Sequence, residues 1–306
     1  MVLDMATYHV LYNPMAGGGW EEEERRRLVE LMADETLIFH DITEIGDYRS
    51  FFQCMADDDR LIIAGGDGTI NRFINDTASV DQKHSVYYFA TGSGNDFLCD
   101  LGRVRGEAVF CIDEYLRDLP VVTVNGKDYR FINGVGFGID GYCCEVGDRM
   151  RAEGKTKINY AKIAILGLLF HYKRPNATVT VDGVSTSYRR VWLAPTMNGR
   201  YYGGGMMITP GQDRLNASRT VSVCVLHRAG KLKTLLVFPS IFKGEHLRHT
   251  EMCTILTGHD ITVTFDRPTA LQVDGETICG VTEYTVHAKK PAPKIAAPTE
   301  DEAVGV

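Results

Sequence analysis

The sequence lacks the features that mark several large classes of protein. Its eight cysteines form no C-x-x-C pair, and the only close spacing is the neighbouring Cys143 and Cys144, so neither a zinc site nor a disulfide framework is indicated. Basic residues are not in excess, since 33 Lys and Arg face 40 Asp and Glu for a net charge of −7. We therefore expect reduced thiols and no nucleic-acid partner, because duplex binding needs clustered cations.

Long apolar runs are missing as well. The first residues, MVLDMATYHVLY, contain neither a basic segment nor a long apolar run, so they do not resemble a signal peptide. The longest apolar run, residues 163–170, is far too short to span a bilayer. These absences predict a cytoplasmic chain that is neither secreted nor membrane-spanning. Its 306 residues, 44% of them hydrophobic, are enough for two domains.

Residues 1–122 repeat one pattern: a short apolar run, a turn rich in glycine or asparagine, and a helical stretch. The apolar runs at residues 8–12, 61–64 and 86–90 lead into NPMAGGG, GGDGT and TGSGNDF, respectively. Alternation of this kind predicts a parallel sheet with helices on its faces. We therefore expect an α/β domain in this part of the chain.

Residues 123–288 consist largely of short alternating segments such as ATVTVDGVSTSY, HDITVTF and TEYTVHA, with Asp-Gly turns. This pattern predicts a second, mostly β domain built as an antiparallel sandwich. The stretch at residues 158–172 is typical of an apolar helix. Residues 289–306 are rich in Pro and Ala, and we expect a tail that is poorly ordered at its end.

Three glycine-rich turns follow apolar runs in the first domain, at residues 13–19, 65–69 and 91–95. Glycines allow the backbone to approach a ligand closely, and the start of a following helix offers free N–H groups to anions such as phosphate. The chain has no GxxxxGK[ST] segment, so it is not a P-loop protein of the usual kind. The three turns would meet at the carboxyl edge of one parallel sheet, where such sheets bind ligands.

Asp67 lies within one of these turns, where its charge would repel bound phosphates unless a divalent cation lay between them. Asp67 therefore indicates Mg²⁺ together with a nucleotide. The alternative is that Asp67 only caps the helix that starts near Thr69. A further glycine motif, GFGIDG at residues 136–141, matches GxGxxG, but no helical period or ribose-binding acid follows it, so we interpret it as a structural turn.

Five motifs resemble, in order, those of the diacylglycerol kinase catalytic-domain family, which includes bacterial lipid kinases and the sphingosine and ceramide kinases. They are NPMAGGG at 13–19, GGDGTIN at 65–71, TGSGNDF at 91–97, INGVGFGID at 132–140 and VDGE at 273–276. The resemblance implies an α/β nucleotide-binding domain of the NAD kinase and diacylglycerol kinase type, followed by an antiparallel β-sandwich domain. It also implies ATP and Mg²⁺ as cofactors and transfer of the γ-phosphoryl group to a lipid hydroxyl, with diacylglycerol as the first candidate.

The resemblance also implies roles for individual residues. Asp274 would be the general base, Glu276 a second carboxylate beside it, and Asp67 a catalytic residue and metal ligand. The nucleotide would contact Asn13, Gly65, Gly66, Asp67, Gly68, Thr69, Asn71, Thr91, Gly92, Ser93 and Asn95. For Asp274 an alternative stays open, because Asp-Gly between alternating apolar segments is a hairpin signal, and Asp182 shows the same signal with no catalytic role.

The chain departs from the family pattern at several positions. Arg72 replaces the glutamate that commonly follows GGDGTxN, and Cys99 replaces an arginine that would neutralise phosphate. A metal-binding DGxLD loop of many bacterial members is absent, since Asn216 and Thr220 stand at its acidic positions. We therefore do not expect that structural metal. The departures keep a non-catalytic nucleotide- or lipid-binding regulator as an alternative, and NAD kinase is the nearest enzymatic rival.

A lipid kinase must reach its substrate at the membrane surface. Residues 231–249, KLKTLLVFPSIFKGEHLRH, combine apolar side chains with flanking Lys and Arg, which suits peripheral contact with the inner face of the membrane. A core-facing helix with solvated lysines is an equally good interpretation of this segment.

Overall fold

A computed structural model describes residues 6–14, 20, 22–91, 94–155 and 158–290. Within them, the first part of the chain forms a five-stranded sheet with the strand order β2-β1-β3-β4-β5, in which only the β4–β5 pair is antiparallel. Its strands are β1 (Thr7–Tyr12), β2 (Thr36–Asp41), β3 (Arg60–Gly65), β4 (Val86–Ala90) and β5 (Phe110–Cys111). The accompanying helices are α1 (Glu22–Leu31), α2 (Tyr48–Gln53), α3 (Asp67–Asp76), α4 (Asp96–Asp100) and α5 (Asp113–Leu116).

The central strand β3 explains why helices cover this sheet. Its residues from Leu61 onward are all buried, because apolar side chains project from both faces. Leu61 and Ile63 pack against Ile70 of α3, while Ile62 packs on the other face with Leu28 of α1. A strand that is apolar on both faces needs a cover on each side. This packing sets α3, and with it Asp67, at the carboxyl end of β3.

The second part of the chain is an antiparallel sheet domain. Its strands are β6 (Val121–Val124), β7 (Lys127–Arg130), β8 (Gly134–Phe137), β9 (Ala177–Val181), β10 (Val184–Tyr188), β11 (Thr196–Met197), β12 (Tyr201–Tyr202), β13 (Met206–Met207), β14 (Val221–Leu226), β15 (Cys253–Gly258), β16 (Asp260–Val273) and β17 (Glu276–His287). The main path runs β15-β14-β11-β8-β16-β17-β6-β7, with β9 joining β16 and β10 joining β9. The predicted fold class, an α/β domain followed by an antiparallel sheet domain, is confirmed. The exact domain boundaries stay predictions.

Helices cover one end of the second domain. They are α6 (Ile139–Ala152), α7 (Tyr160–Leu166) with a π-helical continuation (Gly167–His171), and α8 (Lys231–Val237) followed by two 3-10 segments (Phe238–Lys243 and Glu245–Arg248). Ile163, Leu168 and Val237 from these helices share a buried cluster with Trp192 and Leu226. The domain therefore has two cores, one within the sheet and one beneath the helices. None of the helices described is both long and apolar enough to cross a membrane.

The GxGxxG segment differs from its prediction in one respect. A 14-residue helix, α6, follows it, although no helical period was expected there. Its glycines are nevertheless structural: a Cβ atom would lie 1.7 Å from Asp140 Oδ2 at Gly136, 2.5 Å from the Trp192 carbonyl oxygen at Gly138, and 2.0 Å from the Ala270 carbonyl oxygen at Gly141. Protein atoms thus occupy the space that a dinucleotide would need.

Candidate active site

The described parts of the three glycine-rich turns follow neighbouring parallel strands, so they lie at the carboxyl edge of the first sheet. Asn13 follows β1, Gly66 follows β3 and Thr91 follows β4. Backbone hydrogen bonds join the last two turns, since the N–H of Thr91 donates to Gly65 at 3.0 Å and the N–H of Asp67 donates to Gly94 at 3.1 Å. Residues 15–19 and the predicted nucleotide ligands Gly92 and Ser93 lie outside the described residues.

Two glycines of the GGDGT turn serve different purposes. A Cβ atom on Gly65 would lie 2.2 Å from Thr69 Oγ1, so Gly65 allows the helix start to pack directly on the strand end. Among the described residues, a Cβ atom on Gly68 would meet nothing within 4 Å, so none of them fills the space beside the first turn of α3. The turn is therefore closed on its protein side and open toward a ligand, as an anion-binding helix start requires.

Asp67, the first residue of α3, is buried and caps a different helix. Its Oδ2 accepts from the N–H of Asp96 at 2.6 Å, and its Oδ1 accepts from the N–H of Phe97 at 3.2 Å. These N–H groups open α4, whose own N-cap residue Asn95 makes no capping bond and accepts instead from the Tyr88 hydroxyl at 3.0 Å. Asp67 is therefore a helix cap, as the alternative interpretation held, but it caps α4 and not the helix that starts near Thr69.

The surroundings of Asp67 suit a cation. Burial raises the pKa of Asp67 to about 7, and the negative charges of Asp96 and Asp274 add to the rise. Its two N–H partners occupy two of the four lone-pair sites of the carboxylate. A divalent cation on the other two sites would relieve the repulsion between these acids, so the residues present fit Mg²⁺.

Asp274 comes from the second domain, at the turn between β16 and β17. Its Oδ1 accepts from the N–H groups of Asn133 and Gly134, both at 2.9 Å. Its Oδ2 accepts from the N–H of Ile132 at 2.7 Å and from Nδ2 of Asn71 at 3.0 Å. Four donors therefore converge on a carboxylate that has about four lone-pair sites, which fixes its position and orientation.

The pKa of Asp274 is set by opposing influences. Burial raises it, whereas the three N–H donors and the Asn71 amide lower it because they favour the charged form. The net change is upward, so Asp274 holds a proton more tightly than an exposed aspartate. A carboxylate of that kind is better matched to accepting a proton near neutral pH.

Asn71 joins the two domains. It lies on α3, and its Nδ2 donates to Asp274 of the second domain. Asn75, one turn later, donates through Nδ2 to the Arg130 carbonyl at 3.0 Å and accepts from the Arg130 N–H at 2.8 Å. The structure thus places Asn71 beside the predicted base, and its predicted contact with the nucleotide stays a prediction.

Glu276, the predicted companion of Asp274, is exposed at the start of β17. Among the described residues its side chain makes no hydrogen bond, whereas Asp274 makes four. The two carboxylates are therefore unequal in surroundings, and a catalytic role for Glu276 stays a prediction.

A loop that connects the second domain to the carboxyl edge of the first sheet was not predicted from the sequence. Asp96 accepts from the N–H groups of Gly204 at 2.9 Å and Gly205 at 2.6 Å. These glycines, with Gly203, have φ values of 62°, 84° and 98°, in the left-handed region that favours glycine. The triple glycine in YYGGGMM was the available signal, because such a run demands an unusual backbone.

Two arginines of the second domain, the buried Arg214 and the partly exposed Arg200, lie where the family arginine is missing. Arg200 donates from Nε to Asp100 Oδ1 at 2.6 Å, and Arg214 donates from Nε to Oδ2 of the same residue at 2.6 Å. Arg214 also donates to the Ile132 carbonyl at 2.9 Å, next to the N–H that holds Asp274. Burial raises the pKa of Cys99, and the charge of Arg200 opposes that rise, so the second domain supplies the cation near position 99.

Asp140 was also missed. It is the second residue of α6, and burial raises its pKa to about 6. Neither of its carboxylate oxygens has a hydrogen-bond partner among the described residues, and the same holds for the hydroxyls of Tyr172 and Tyr202. Its place inside GFGIDG was visible in the sequence, but its burial depends on how α6 packs across β16.

Comparisons with known proteins agree with this architecture. Residues 7–121 match the model of the diacylglycerol kinase catalytic domain, and residues 133–292 match that of the YegS C-terminal NAD kinase beta sandwich-like domain. Diacylglycerol kinase of Mycobacterium tuberculosis is 26% identical over 205 residues, and the chain spans 64% of the length of that relative. The Bacillus subtilis protein YtlR is 23% identical over 287 residues, covering 89% of this chain and 88% of YtlR.

A solved structure shows the same fold. The crystal structure of a diacylglycerol kinase from Bacillus anthracis str. Sterne superimposes with a TM-score of 0.61 at 20% identity, covering 93% of this chain and 94% of that one.

Proposed function

The chain belongs to the diacylglycerol kinase catalytic-domain family, and from that premise we propose that it is a kinase that transfers the γ-phosphoryl group of ATP to the hydroxyl of a lipid. The observation that carries the proposal is that Asn71, on the helix that begins with the buried Asp67, donates to Asp274 of the second domain, which sets the two carboxylates at one junction. Phosphoryl transfer needs a site for the nucleotide and cation and a group that takes the hydroxyl proton. In this proposal Asp67 of the first domain serves the nucleotide and cation, and Asp274 of the second domain takes the hydroxyl proton.

The nucleotide belongs to the first domain in this proposal. ATP supplies the phosphoryl group, and Mg²⁺ held by Asp67 would neutralise its charge. In this proposal the phosphates would contact the backbone around Gly66 and Gly68 and the residues Asn13, Thr69, Thr91 and Asn95, which follow β1, β3 and β4 or begin the next helix. The open space beside Gly68 supports close approach of the phosphates to the start of α3.

Asp274 acts as the general base for the lipid hydroxyl. Three of its four donors are consecutive backbone N–H groups. Because they belong to one stretch of backbone, a single one of them cannot move away from the carboxylate by itself. The fourth, Asn71, is a side-chain amide on the other domain, so a small separation of the domains frees one lone pair on Oδ2. The hydroxyl of the acceptor takes that place and gives up its proton to Oδ2. General-base assistance of this kind contributes roughly 10²–10⁴-fold to a rate.

The acceptor is a lipid with a free hydroxyl at a membrane surface, and diacylglycerol is our first choice. Exposed apolar residues on neighbouring helices support contact with a bilayer: Leu166 and Phe170 beside Leu232 and Leu236. The helices are adjacent, because Lys231 Nζ donates to the Leu169 carbonyl at 2.6 Å. Of the segment proposed for membrane contact, Leu232 is 71% exposed and Leu236 is 73% exposed, while Val237 and Ile241 face the core. The segment therefore packs against the core with one set of apolar side chains and presents another set to solvent, which supports contact with a membrane.

Transfer of ³²P from γ-labelled ATP tests the proposal directly. The protein is incubated with Mg²⁺ and mixed micelles that contain diacylglycerol, ceramide, sphingosine or a polyprenyl alcohol, with NAD in a parallel tube. We expect labelled phosphatidic acid. Label on another lipid would change the proposed acceptor but support the lipid kinase activity. Label on NAD alone would refute the proposal that the chain is a lipid kinase. ATP binding without any transfer would make the chain a regulator.

A further inference from the structure

A second cluster of chemically reactive side chains lies in the other core of the lipid-binding domain, away from the carboxylates. Cys224 is on β14, Cys253 begins β15, and His246 is on the 3-10 segment that precedes β15. All three are buried, and one potential ligand atom from each lies within 4.8 Å of the other two. We propose that this cluster is a structural binding site for one divalent d¹⁰ ion, of which Zn²⁺ is the common example.

The distances in the cluster suit such an ion. The two Sγ atoms are 3.7 Å apart, and two thiolates at about 2.3 Å from a tetrahedral Zn²⁺ lie roughly 3.8 Å from each other. Cys224 Sγ is 4.0 Å from His246 Nε2, a few tenths of an ångström more than about 3.6 Å in a bound site. A small movement of the histidine therefore completes three ligands.

The fourth ligand is available on the same side of the histidine. Because a carbonyl only accepts, His246 Nε2 carries a proton in the ion-free chain and donates it to the Ile208 carbonyl at 3.0 Å. An ion bound at Nε2 would replace that proton and have the carbonyl oxygen beside it. His246 Nδ1 has no hydrogen-bond partner among the described residues, so the ring lacks the second partner that a buried imidazole normally has. Binding of the ion would move the proton to Nδ1, and Nε2 would then offer its lone pair to the ion.

Charge balance favours a divalent ion. Two thiolates and one neutral imidazole carry a charge of −2, which a divalent cation cancels, so the occupied site is neutral inside an apolar core. The ion and the deprotonated cysteines therefore arrive together, with release of two protons.

The site would anchor the membrane-facing segment. His246 is separated from Cys224 by 22 positions in the chain, and Cys253 by 29. The intervening chain contains α8 and the two 3-10 segments, including the exposed Leu232 and Leu236. Both cysteines lie on the paired strands β14 and β15, so an ion held by all three residues would fix His246, and with it the chain after α8, to the sheet. The ligands are far apart along the chain, so no close cysteine pair marks the site.

Cobalt gives the most direct test, because Co²⁺ bound by thiolates shows a sulfur-to-metal charge-transfer band and intense visible d–d bands. The full chain is purified under reducing conditions, stripped with a chelator and titrated with Co²⁺, then with Zn²⁺ as competitor. We expect thiolate-type bands that saturate at one ion per chain and disappear when Zn²⁺ is added. Saturation without thiolate bands, or no binding, would overturn the proposal.

Variants locate the site. Cys224→Ser and Cys253→Ser should each lose the charge-transfer band, and Cys99→Ser and Cys279→Ser, which change exposed cysteines, should keep it. If a core variant fails to fold, the wild-type titration still decides, with the metal content of the purified chain as a second measurement. A band that persists in folded Cys224→Ser would place the metal elsewhere and refute this assignment. The outcome does not depend on kinase activity.

Discussion

Two turns of the second domain have the same sequence and the same backbone, yet their aspartates have different surroundings. Val181-Asp182-Gly183 joins β9 to β10, and Val273-Asp274-Gly275 joins β16 to β17. Asp182 and Asp274 both have φ of 46°, followed by glycines at 88° and 97°. Positive φ at both central residues is the conformation that lets a two-residue turn follow the twist of its strands.

The difference lies in what reaches each carboxylate. Asp182 is exposed, and one of its oxygens accepts from the N–H groups of His259 at 3.0 Å and Asp260 at 2.9 Å, within its own domain. Asp274 accepts from three N–H groups of another loop and from Asn71 of the other domain. A local turn signal thus predicts the backbone, and only the tertiary fold decides whether the side chain becomes part of a site.

The sharpest test of this difference is the same substitution in both turns. Asp274→Asn should lower turnover by about a thousandfold while ATP still binds, because the amide cannot accept the hydroxyl proton. Asp182→Asn should leave turnover unchanged. Both are measured as initial rates of ³²P transfer, with nucleotide binding by equilibrium dialysis. Near-normal turnover of Asp274→Asn would refute the assignment of Asp274 as the general base.

Stability should separate the two turns as well. Asp274→Ala leaves three backbone N–H groups and one amide without their acceptor, and we expect a loss of about 3 kcal/mol in the free energy of unfolding. Asp182→Ala loses two bonds at an exposed site and should cost about 1 kcal/mol or less. Urea unfolding followed by circular dichroism measures both. Equal losses would mean that the four donors contribute nothing beyond the turn.

Asp140 extends the comparison to a buried carboxylate that no close hydrogen bond holds among the described residues, although Gln272 and Tyr202 lie near it and limit the rise of its pKa. Its pKa is raised from 3.8 to about 6, so the folded chain binds its proton more tightly than the unfolded chain does. The contribution to stability is complete below about pH 4 and is lost as the pH rises through about 6, with an expected change of about 2 kcal/mol. Unfolding free energies of wild type and Asp140→Asn at pH 4.5 and 7.5 measure it. A wild-type minus variant difference that is the same at both pH values would contradict the prediction.

The smallest expected effect concerns Asn71, the donor that distinguishes Asp274 by reaching it from the other domain. Its hydrogen bond favours the charged form and lowers the pKa of Asp274, so Asn71→Ala should raise that pKa. Because the base must be ionised, the acidic limb of kcat/KM should move to higher pH, with a loss of less than about tenfold on the plateau. Arg72→Ala, on the next residue of α3, serves as the control. An unmoved limb would show that Asn71 does not act through Asp274.

The sequence predicted features whose cause is local and missed those whose cause is distant. The strands before GGDGT and TGSGNDF, and the turns at Asp182 and Asp274, follow from apolar runs and turn residues. Helix α6 was missed because Gly141 and Gly147 are poor helix formers, and tertiary packing overrides that weakness. The contact between Asp96 and the Gly204 loop joins residues 108 positions apart, and no periodicity can encode it.

Helix α4 has a consequence for motion. Its five residues are too few to be stable as an isolated helix, so its order depends on what holds it from outside. Asp67 accepts hydrogen bonds from the first N–H groups of α4. Asp96 accepts from the glycine loop, and Asp100 accepts from two arginines of the second domain. Local unfolding of α4 would therefore release the carboxyl edge of the first sheet and the second domain in one event. Amide hydrogen exchange at Phe97 and Cys99 would report how often α4 unfolds.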